Sequence, residues 1–385
     1  MTTYNAIVVH YSEIGLKGSN RPLFEKILVR NMLIGLRNTN YKSIERKYGC
    51  IIIHLKKNAD INKIQDVLKN TPGISSYSLA IESKQTLQVI KKKALAIATE
   101  NKKKSFKIST KRSDKSFIYT SLQLNEKIGK YISEKTSMKV KLKNPGLVIY
   151  IEIISSNVFI YHERKQGIGG LPVGTAGKVI ALLSGGIDSP VASYLLMKRG
   201  ARVIFVHFLN ETVQKSENKV IDLVKVLTKY QLNSILYIVR FGEIQKEIIK
   251  SIPAKQRMII YRRVMFRIAE KIAKKVDTKA FVTGDSVAQV ASQTLDNLRV
   301  IYQVANHPVL APLIGMNKQE IMDMAQEIGT YETSIQPYSD CCSFLIHKHP
   351  ETKAEIEIIE KIESNLNLEK IMRLAEKNTE KRIIQ

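Results

Sequence analysis

The sequence has 385 residues, more than a single hydrophobic core usually holds, so two or three domains are expected. No apolar run approaches the roughly 18 residues of a membrane helix, and the start of the sequence lacks the basic region and long apolar core of a secretory signal. Three cysteines are too few for a disulfide framework, so these three classes are excluded. The 61 basic and 35 acidic side chains leave a formal charge of +26, which favours a polyanionic partner, and together these totals predict a cytoplasmic protein.

The first 166 residues alternate short apolar strands with amphipathic helices. Strand patterns cover residues 6–10, 49–55, 75–81, 105–109 and 148–153, and helical patterns cover 21–37, 62–68 and 86–100. This order indicates two small α+β units, one over residues 1–60 and one over residues 61–166. The stretch 166–174 contains four glycines and a proline and is typical of a linker or hinge.

The rest of the chain, residues 167–385, has a different pattern. Nearly continuous apolar strands over 178–183, 202–208, 234–239 and 280–283 alternate with helical patterns over 190–199, 221–230 and 258–275. Strands that are apolar on both faces indicate a parallel sheet covered by helices on each side. The sequence therefore predicts a doubly wound α/β domain here.

The loop Ser184–Ser189 lies between the first strand and the first helix of that domain and reads Ser-Gly-Gly-Ile-Asp-Ser. Its glycines allow close approach of a ligand, its serines supply hydroxyls, and the helix N terminus that follows favours an anion. It lacks the Gly-Lys-Ser/Thr of a Walker loop and the spacing of a dinucleotide fingerprint. A plain glycine turn is the alternative to a phosphate site.

This loop resembles the pyrophosphate loop of the ATP-pyrophosphatase superfamily, whose members cleave ATP between the α and β phosphates. The resemblance implies that Ser184, Gly185, Gly186 and Ser189 hold pyrophosphate. It also implies that Asp188 orients or binds Mg²⁺, so ATP and Mg²⁺ are the expected cofactors.

Longer motifs resemble one family within that superfamily. They are Tyr11–Gly18, Thr110–Phe117, Gly170–Gly177, Thr283–Ser286, Gln289–Thr294 and Pro312–Lys318. Together with the loop they are similar to the tRNA 4-thiouridine synthetase, or ThiI, family over essentially the whole chain. The resemblance implies a ferredoxin-like domain (1–60), a THUMP RNA-binding domain (61–166) and an ATP-pyrophosphatase, or PP-loop, domain (167–385). It further implies a tRNA sulfurtransferase that adenylates O4 of uridine 8 and then replaces this oxygen with sulfur.

The same resemblance implies further nucleotide contacts, at Leu182, Leu183, His207, Phe208, Arg263, Gly284 and Gln293. Arg262 is an equally good candidate for the contact assigned to Arg263. Asp285 stands where the family commonly has Glu, which preserves the carboxylate. Lys318 is expected to stabilise charge on the transferring phosphoryl group, the alternative being a solvated lysine in the first turn of a helix.

The adjacent cysteines Cys341 and Cys342 are the candidates for the sulfur step. Cys342 is the first choice for the catalytic thiol and Cys341 the second, the alternative being two small core residues. Two neighbouring cysteines cannot readily both bind one ion, so no metal or iron–sulfur site is expected. His347 and His349 lie beside the cysteines, where a solvated loop is expected and a zinc site is the alternative. Many relatives continue into a rhodanese domain, which this 385-residue sequence does not contain. We therefore expect sulfur to come from a partner, a cysteine desulfurase or another sulfur donor.

The basic charge is concentrated in the front part of the chain, where residues 1–170 hold 31 basic and 12 acidic side chains. Residues 101–150 alone hold 13 basic and three acidic ones. Such charge is typical of a surface that binds nucleic-acid phosphates, although a lysine-rich composition on every solvated face is an alternative. The candidate tRNA-binding residues are Lys102, Lys103, Lys104, Lys107, Lys111, Arg112 and Lys115.

Two other functions are compatible with these motifs. One is a related enzyme that adenylates another base, as in lysidine or 2-thiouridine formation. The other is a tRNA-binding protein with a silent ATP site, which the intact loop disfavours. The sequence leaves open whether two chains associate as a homodimer.

Overall fold

The structure is a computed structural model that describes residues 3–114, 116–214, 216–338, 341 and 344–385. The chain divides into two compact units, residues 1–172 and residues 173–385. Across those described residues, no helix combines the length and the apolar character needed to cross a bilayer. The domain boundaries predicted at residues 60/61 and 166/167 stay predictions.

The first unit is built on one sheet of nine strands. Its strands are β1 (Ala6–His10), β2 (Tyr41–Lys47), β3 (Cys50–Leu55), β4 (Ser76–Lys84), β5 (Ser105–Arg112), β6 (Lys139–Val140), β7 (Leu147–Ile154), β8 (Asn157–Tyr161) and β9 (Lys165–Gln166). Its helices are α1 (Arg21–Gly35), α2 (Ile61–Asn70), α3 (Leu87–Asn101) and α4 (Ser121–Lys135). The strand order is β2-β3-β1-β4-β8-β7-β5-β6, and β9 pairs with the start of β4.

Two pairs of helices cover this sheet, each over its own half. Helices α1 and α2 share an apolar cluster with β1 and β3, which includes the buried side chains of Met32, Ile64 and Ile7. Helices α3 and α4 share a second cluster with β5 and β7 through Ile128 and Phe106. The predicted α+β organisation is therefore present in both halves of one continuous sheet.

The glycine-rich stretch predicted as a linker is tied to the first unit over its first part. The Gly73 N–H donates to Gly169 O at 2.7 Å, and the Gly169 N–H donates to Ile74 O at 2.8 Å. The division between the two units lies within this stretch, after Pro172.

The second unit contains a six-stranded sheet and nine described helices. Its strands are β10 (Lys178–Leu182), β11 (Arg202–Leu209), β12 (Ser234–Arg240), β13 (Phe281–Val282), β14 (Val309–Leu310) and β15 (Thr379–Ile384). Its helices are α5 (Asp188–Lys198), α6 (Asn218–Gln231), α7 (Gly242–Ser251), α8 (Arg257–Val276), α9 (Leu295–Tyr302), α10 (Lys318–Ile328), α11 (Tyr331–Ser334), α12 (Ile356–Glu363) and α13 (Leu368–Lys377).

The strand order of the second sheet is β14-β13-β10-β11-β12-β15. The first five strands pair in parallel, as predicted, whereas β15 adds an antiparallel edge to β12. Strand β10 lies inside the sheet, and the chain continues to β11 on one side of it and to β13 on the other. The carboxyl end of β10 is therefore a topological switch point, where open α/β sheets bind ligands.

Candidate active site and nucleic-acid surface

The loop Ser184–Ser189 leaves β10 at this switch point and is folded by its own serines. The Ser184 N–H donates to Ser189 Oγ at 2.9 Å, and the two serine Oγ atoms lie 3.0 Å apart. The Gly186 N–H donates to Ser184 Oγ at 3.2 Å. Helix α5 begins at Asp188, so the positive end of its dipole lies at the loop. This geometry is suited to a phosphate group.

Asp188 is held between two side chains from distant parts of the second unit. Its Oδ1 accepts from Lys318 Nζ at 2.7 Å, and its Oδ2 accepts from Gln289 Nε2 at 2.9 Å. Lys318 is the first residue of α10, where the helix dipole disfavours a cation. The carboxylate of Asp188 offsets this cost, and it brings two of the predicted catalytic residues together.

The glycine at position 284 allows the strand end after β13 to touch the loop. A Cβ added to Gly284 would lie 2.7 Å from Ser189 N and 2.9 Å from Asp188 C. These are backbone atoms, so a side chain at Gly284 would have to displace the loop itself.

Beside that contact lies a buried ionic group centred on Asp285. Arg262 Nη2 donates to Asp285 Oδ2 at 2.6 Å, Tyr302 OH donates to the same oxygen, and Gln293 Nε2 donates to Oδ1 at 3.0 Å. Burial alone would raise the pKa of Asp285, but the charge of Arg262 and these hydrogen bonds hold it below its usual range. The group fixes Arg262 and Gln293 in place at the site.

One cavity of about 320 Å³ joins these elements, a size within the range of small-molecule sites. Its wall includes the predicted residues Leu182, Leu183, Ser184, Gly185, Gly186, Asp188, Ser189, His207, Phe208, Gly284, Gln293 and Cys341. Met265 and Phe266 of α8 add apolar surface, and the Oε1 atom of Gln293 is buried with no hydrogen-bond partner among the residues that the structure describes. The cavity therefore combines an end whose geometry suits a phosphate group with an apolar part that contains a polar acceptor.

Arg263 points into a different part of the second unit. Its guanidinium pairs with Glu363 Oε2 at 2.7 Å and donates to Val300 O at 2.7 Å, and the side chain is 1% exposed. The neighbouring Arg262 lines the cavity instead, since successive residues of a helix point about 100° apart. The structure thus favours Arg262, the second of the two candidates, for the contact that was assigned to Arg263.

Cys341 lies in the wall of the cavity and is 7% exposed. Its carbonyl oxygen accepts from Gln245 Nε2 at 2.7 Å. Cys342, the first choice for the catalytic thiol, lies outside the described residues. The structure therefore places one of the two candidate cysteines at the same cavity as the loop.

Gln289 and Tyr338 are two of the cavity residues that were not singled out from the sequence. Gln289 belongs to one of the motifs quoted above, so a signal for it existed. Tyr338 lines the cavity against Gly185, and its only signal is that it precedes the cysteine pair by three residues. In the part of the chain that the structure describes, no three His, Cys, Asp or Glu side chains come together as a metal site.

The predicted tRNA-binding residues fall on separate surfaces of the first unit. Lys102, Lys103 and Lys104 follow α3 and line one open groove together with Lys135 and Lys139. The lysines that follow or end α3 and α4 lie at the negative ends of the helix dipoles, which favours cations there.

The remaining members of that set are arranged differently. Lys107 and Lys111 alternate along β5 with the core residues Phe106 and Ile108, so they belong to the opposite face of the sheet. Arg112 donates to the carbonyl oxygens of Phe117 and Tyr119, at 3.1 and 2.9 Å, and so holds its own loop. Lys115 lies outside the described residues. Lys102, Lys103 and Lys104 are thus the predicted tRNA-binding residues that lie together, and the groove that they line with Lys135 and Lys139 is called the lysine groove below.

Three family models match the chain, and together they cover most of its length. The ThiI ferredoxin-like domain matches residues 6–78, the THUMP domain matches residues 84–163, and the model described as thiamine biosynthesis protein (ThiI) matches residues 174–368.

Similar proteins carry consistent names. The chain is 40% identical over 371 residues to a probable tRNA sulfurtransferase of Caldanaerobacter subterraneus subsp. tengcongensis, covering 96% of this chain and 97% of that protein. It is 39% identical to a probable tRNA sulfurtransferase of Thermoanaerobacter sp., covering 94% and 96%. A solved 4-thiouridine synthetase–RNA complex with bound ATP superposes with a TM-score of 0.90 at 36% identity, over 100% of both chains.

Proposed function

The chain belongs to the ThiI family, and we propose from this that it is a tRNA sulfurtransferase that uses ATP to convert uridine 8 of tRNA to 4-thiouridine. One observation carries the proposal: the Ser184–Ser189 loop and Cys341 line the same cavity at the switch point of the sheet. A phosphate site and a thiol beside one another are what adenylation followed by sulfur transfer requires.

In the first step the loop would hold the β and γ phosphates of ATP against the N terminus of α5. O4 of the uridine attacks the α phosphorus, the bond to the α–β bridging oxygen breaks, and pyrophosphate leaves. Lys318 and the Ser184 and Ser189 hydroxyls would stabilise the charge that moves onto pyrophosphate. Leu182, Phe208, Arg262 and Gln293 would surround the nucleoside end.

Mg²⁺ is part of the proposal, with Asp188 as its carboxylate. Magnesium at phosphate sites is commonly held by one or two carboxylates together with phosphate oxygens and water, and a single aspartate at the loop fits that pattern. Bound there, the ion would neutralise charge on the phosphates. The Lys318 ammonium, which donates to the Asp188 carboxylate, would place a further positive charge beside the same phosphates.

In the second step a sulfur nucleophile attacks C4 of the activated uridine, the C4–O4 bond breaks, and O4 leaves on AMP. Cys342 or Cys341 would deliver this sulfur as a persulfide, whose terminal sulfur attacks C4. A second thiol then breaks the S–S bond, so that 4-thiouridine is released and the two thiols are left as a disulfide that an external thiol reductant reduces. A cysteine desulfurase, through its own persulfide, or another sulfane-sulfur donor would transfer sulfur to the cysteine thiolate, whereas free sulfide would attack C4 directly. We propose the cytoplasm as the location, because tRNA is the substrate, and leave the association of two chains as a further proposal.

The lysine groove at the ends of α3 and α4 would bind the tRNA backbone. Lysine contacts to phosphate are insensitive to sequence and sensitive to salt, so the groove would contribute affinity and position rather than base recognition.

The test uses purified protein, unmodified tRNA, ATP, Mg²⁺ and sulfide as a simple donor, with nucleosides identified by mass spectrometry. The wild-type chain is expected to form 4-thiouridine together with AMP. Asp188→Asn should reduce both products by on the order of 10²-fold or more, as loss of a preorganised charge does at such sites. Asp222→Asn, at an exposed residue of α6 that pairs with Lys225, is the matched control and should keep full activity. Another modified base, or tRNA binding without AMP, would contradict the proposal.

A further inference from the structure

The segment that leads to the cysteine pair is held by a buried lysine. Lys219, in the first turn of α6, is 9% exposed and donates from Nζ to Ser334 O at 2.8 Å and Gln336 O at 2.6 Å. The same ammonium lies 5.3 Å from the centre of the Tyr338 ring. Burial lowers the pKa of Lys219, because it removes water from the ammonium. The two carbonyl oxygens and the face of the Tyr338 ring replace that water as partners of the charge. This arrangement fixes the backbone just before Tyr338.

Tyr338 contacts two elements that line the cavity, the loop at Gly185 and strand β11 at His207. A Cβ added to Gly185 would lie 2.6 Å from Tyr338 Cδ1, which shows that the ring rests directly on the pyrophosphate loop. Its hydroxyl lies 2.8 Å from His207 Nε2, at the end of β11. The ring and the hydroxyl thus contact different elements.

The hydrogen-bond directions around His207 follow from its second contact. His207 Nδ1 lies 2.8 Å from Leu183 O, and a carbonyl oxygen can only accept, so Nδ1 carries a proton. In the neutral ring Nε2 is then the acceptor, and the Tyr338 hydroxyl donates to it. Tyr338 is therefore linked to Leu183, the residue directly before the loop.

The backbone at Cys341, which follows Tyr338 in the chain, is held as well. Gln245, 0% exposed, donates to the carbonyl oxygen of Cys341 at 2.7 Å and accepts from Asn210 Nδ2 at 2.7 Å. Lys219 and Gln245 thus hold the backbone on either side of Tyr338, the side chain that rests on the loop.

We propose that Tyr338 is a positioning residue that sets the place of Cys341 relative to the pyrophosphate loop, and so couples sulfur transfer to adenylation. This inference rests on the proposed function. The ring fixes the distance between the segment and Gly185, and the hydroxyl fixes the orientation through His207. Loss of Tyr338 would let the adenylate form without the sulfur-carrying cysteine held at C4, so water would displace AMP and return uridine.

The experiment uses cysteine and a cysteine desulfurase as the sulfur source, because free sulfide would bypass Cys341, and a thiol reductant to regenerate the thiols. It measures AMP and 4-thiouridine formed in the same reaction, as a ratio, together with kcat and KM for ATP. The wild-type chain should give one 4-thiouridine for each AMP. Tyr338→Phe keeps the ring and loses the hydrogen bond, so the ratio should fall about twofold to fivefold, with KM for ATP changed less than about threefold. Tyr338→Ala also loses the ring and should reduce the ratio by on the order of tenfold or more.

Two further variants keep the test decisive. Lys219→Met should lower the ratio in the same direction, because it releases the carbonyls of Ser334 and Gln336. Tyr331→Phe, in helix α11 of the same region, is the matched control and should behave as wild type. Melting temperatures are recorded for all variants, since a purely structural role would lower both products together and leave the ratio unchanged.

The outcomes separate the two ideas. If the wild-type chain forms no 4-thiouridine, the proposed function fails. If it does, and folded Tyr338→Phe and Tyr338→Ala variants both keep the wild-type ratio, the positioning role of Tyr338 is overturned.

Discussion

Gly284→Ala is the substitution whose effect the structure defines most sharply. The new Cβ would lie 2.7 Å from Ser189 N, whereas ordinary contact begins at 3.4 Å, so the loop or the strand end must move by about 0.7 Å. The atoms it meets are backbone atoms of Ser189 and Asp188, which cannot rotate away as the end of a side chain can.

The expected cost has two parts. Overpacking of this kind destabilises by roughly 1–3 kcal/mol, which corresponds to a melting temperature lower by about 2–12 °C for a unit of this size. Because misplacement of reacting groups by about 1 Å can cost about 10²-fold in rate, AMP formation should fall by roughly 30- to 100-fold. The loss of rate should therefore far exceed the loss of folded protein.

The assay is tRNA-dependent AMP release at a temperature at which circular dichroism shows the variant fully folded. Gly129→Ala, inside helix α4, is the control, since the nearest atom that the described residues place by its Cβ is Val140 Cγ2, at 3.8 Å. That variant should keep the wild-type rate and gain about 0.5–1 kcal/mol of stability. A folded Gly284→Ala variant with the wild-type rate of AMP release would refute the close contact as the reason for glycine.

Three other predictions follow from contacts in the two units. Arg262→Gln should raise KM for ATP by roughly tenfold and leave Asp285 buried without its charged partner, which a thermal melt would detect as a lower midpoint. Glu363→Gln should lower the free energy of unfolding by about 3–5 kcal/mol at pH 7, measured in urea. Burial alone would raise the pKa of Glu363, but its arginine partners hold that pKa below the ordinary 4.5. The difference in free energy of unfolding between wild type and variant is therefore full above pH 4.5 and disappears as the pH falls through the lowered pKa. Charge reversal at Lys103 and Lys139 should weaken tRNA binding and flatten its salt dependence in filter binding, and unchanged binding would exclude the lysine groove.

Much of the fold follows from local patterns in the sequence. The strand at Ala6–His10 and the strand and helix around the Ser184–Ser189 loop have nearly continuous apolar residues or clear punctuation, and each is present. Strand β2 gave no such signal, because it is a mostly polar strand that lies at the edge of the described sheet and pairs with β3. Helix α4 carries a local signal of its start, the Thr120–Gln123 capping box.

Other features depend on contacts that no local pattern contains. The antiparallel pairing of β15 with β12 joins residues about 145 apart, from Ser234 with Ile384 to Val239 with Thr379. Helix α8 is buried on most sides, so its apolar pattern does not reveal which of Arg262 and Arg263 points to the cavity. Tyr338 is recognisable only once its ring is seen on Gly185.

The candidate site likewise has one part that local sequence predicts and another that depends on the fold. The loop could be read from its glycines and serines, because backbone approach and helix polarity are local properties. The partners of Asp188, which are Gln289 and Lys318, come from residues 101 and 130 positions further along the chain. Their roles emerge only from the fold that brings them together.

The most direct test of ATP use for sulfur transfer follows the α phosphate of ATP. With ATP labelled at that phosphate, unmodified tRNA and sulfide, we expect labelled AMP to appear only when tRNA is present, in equal amount to pyrophosphate and to the 4-thiouridine formed. Labelled ADP in place of AMP, or 4-thiouridine formed without ATP, would contradict the account.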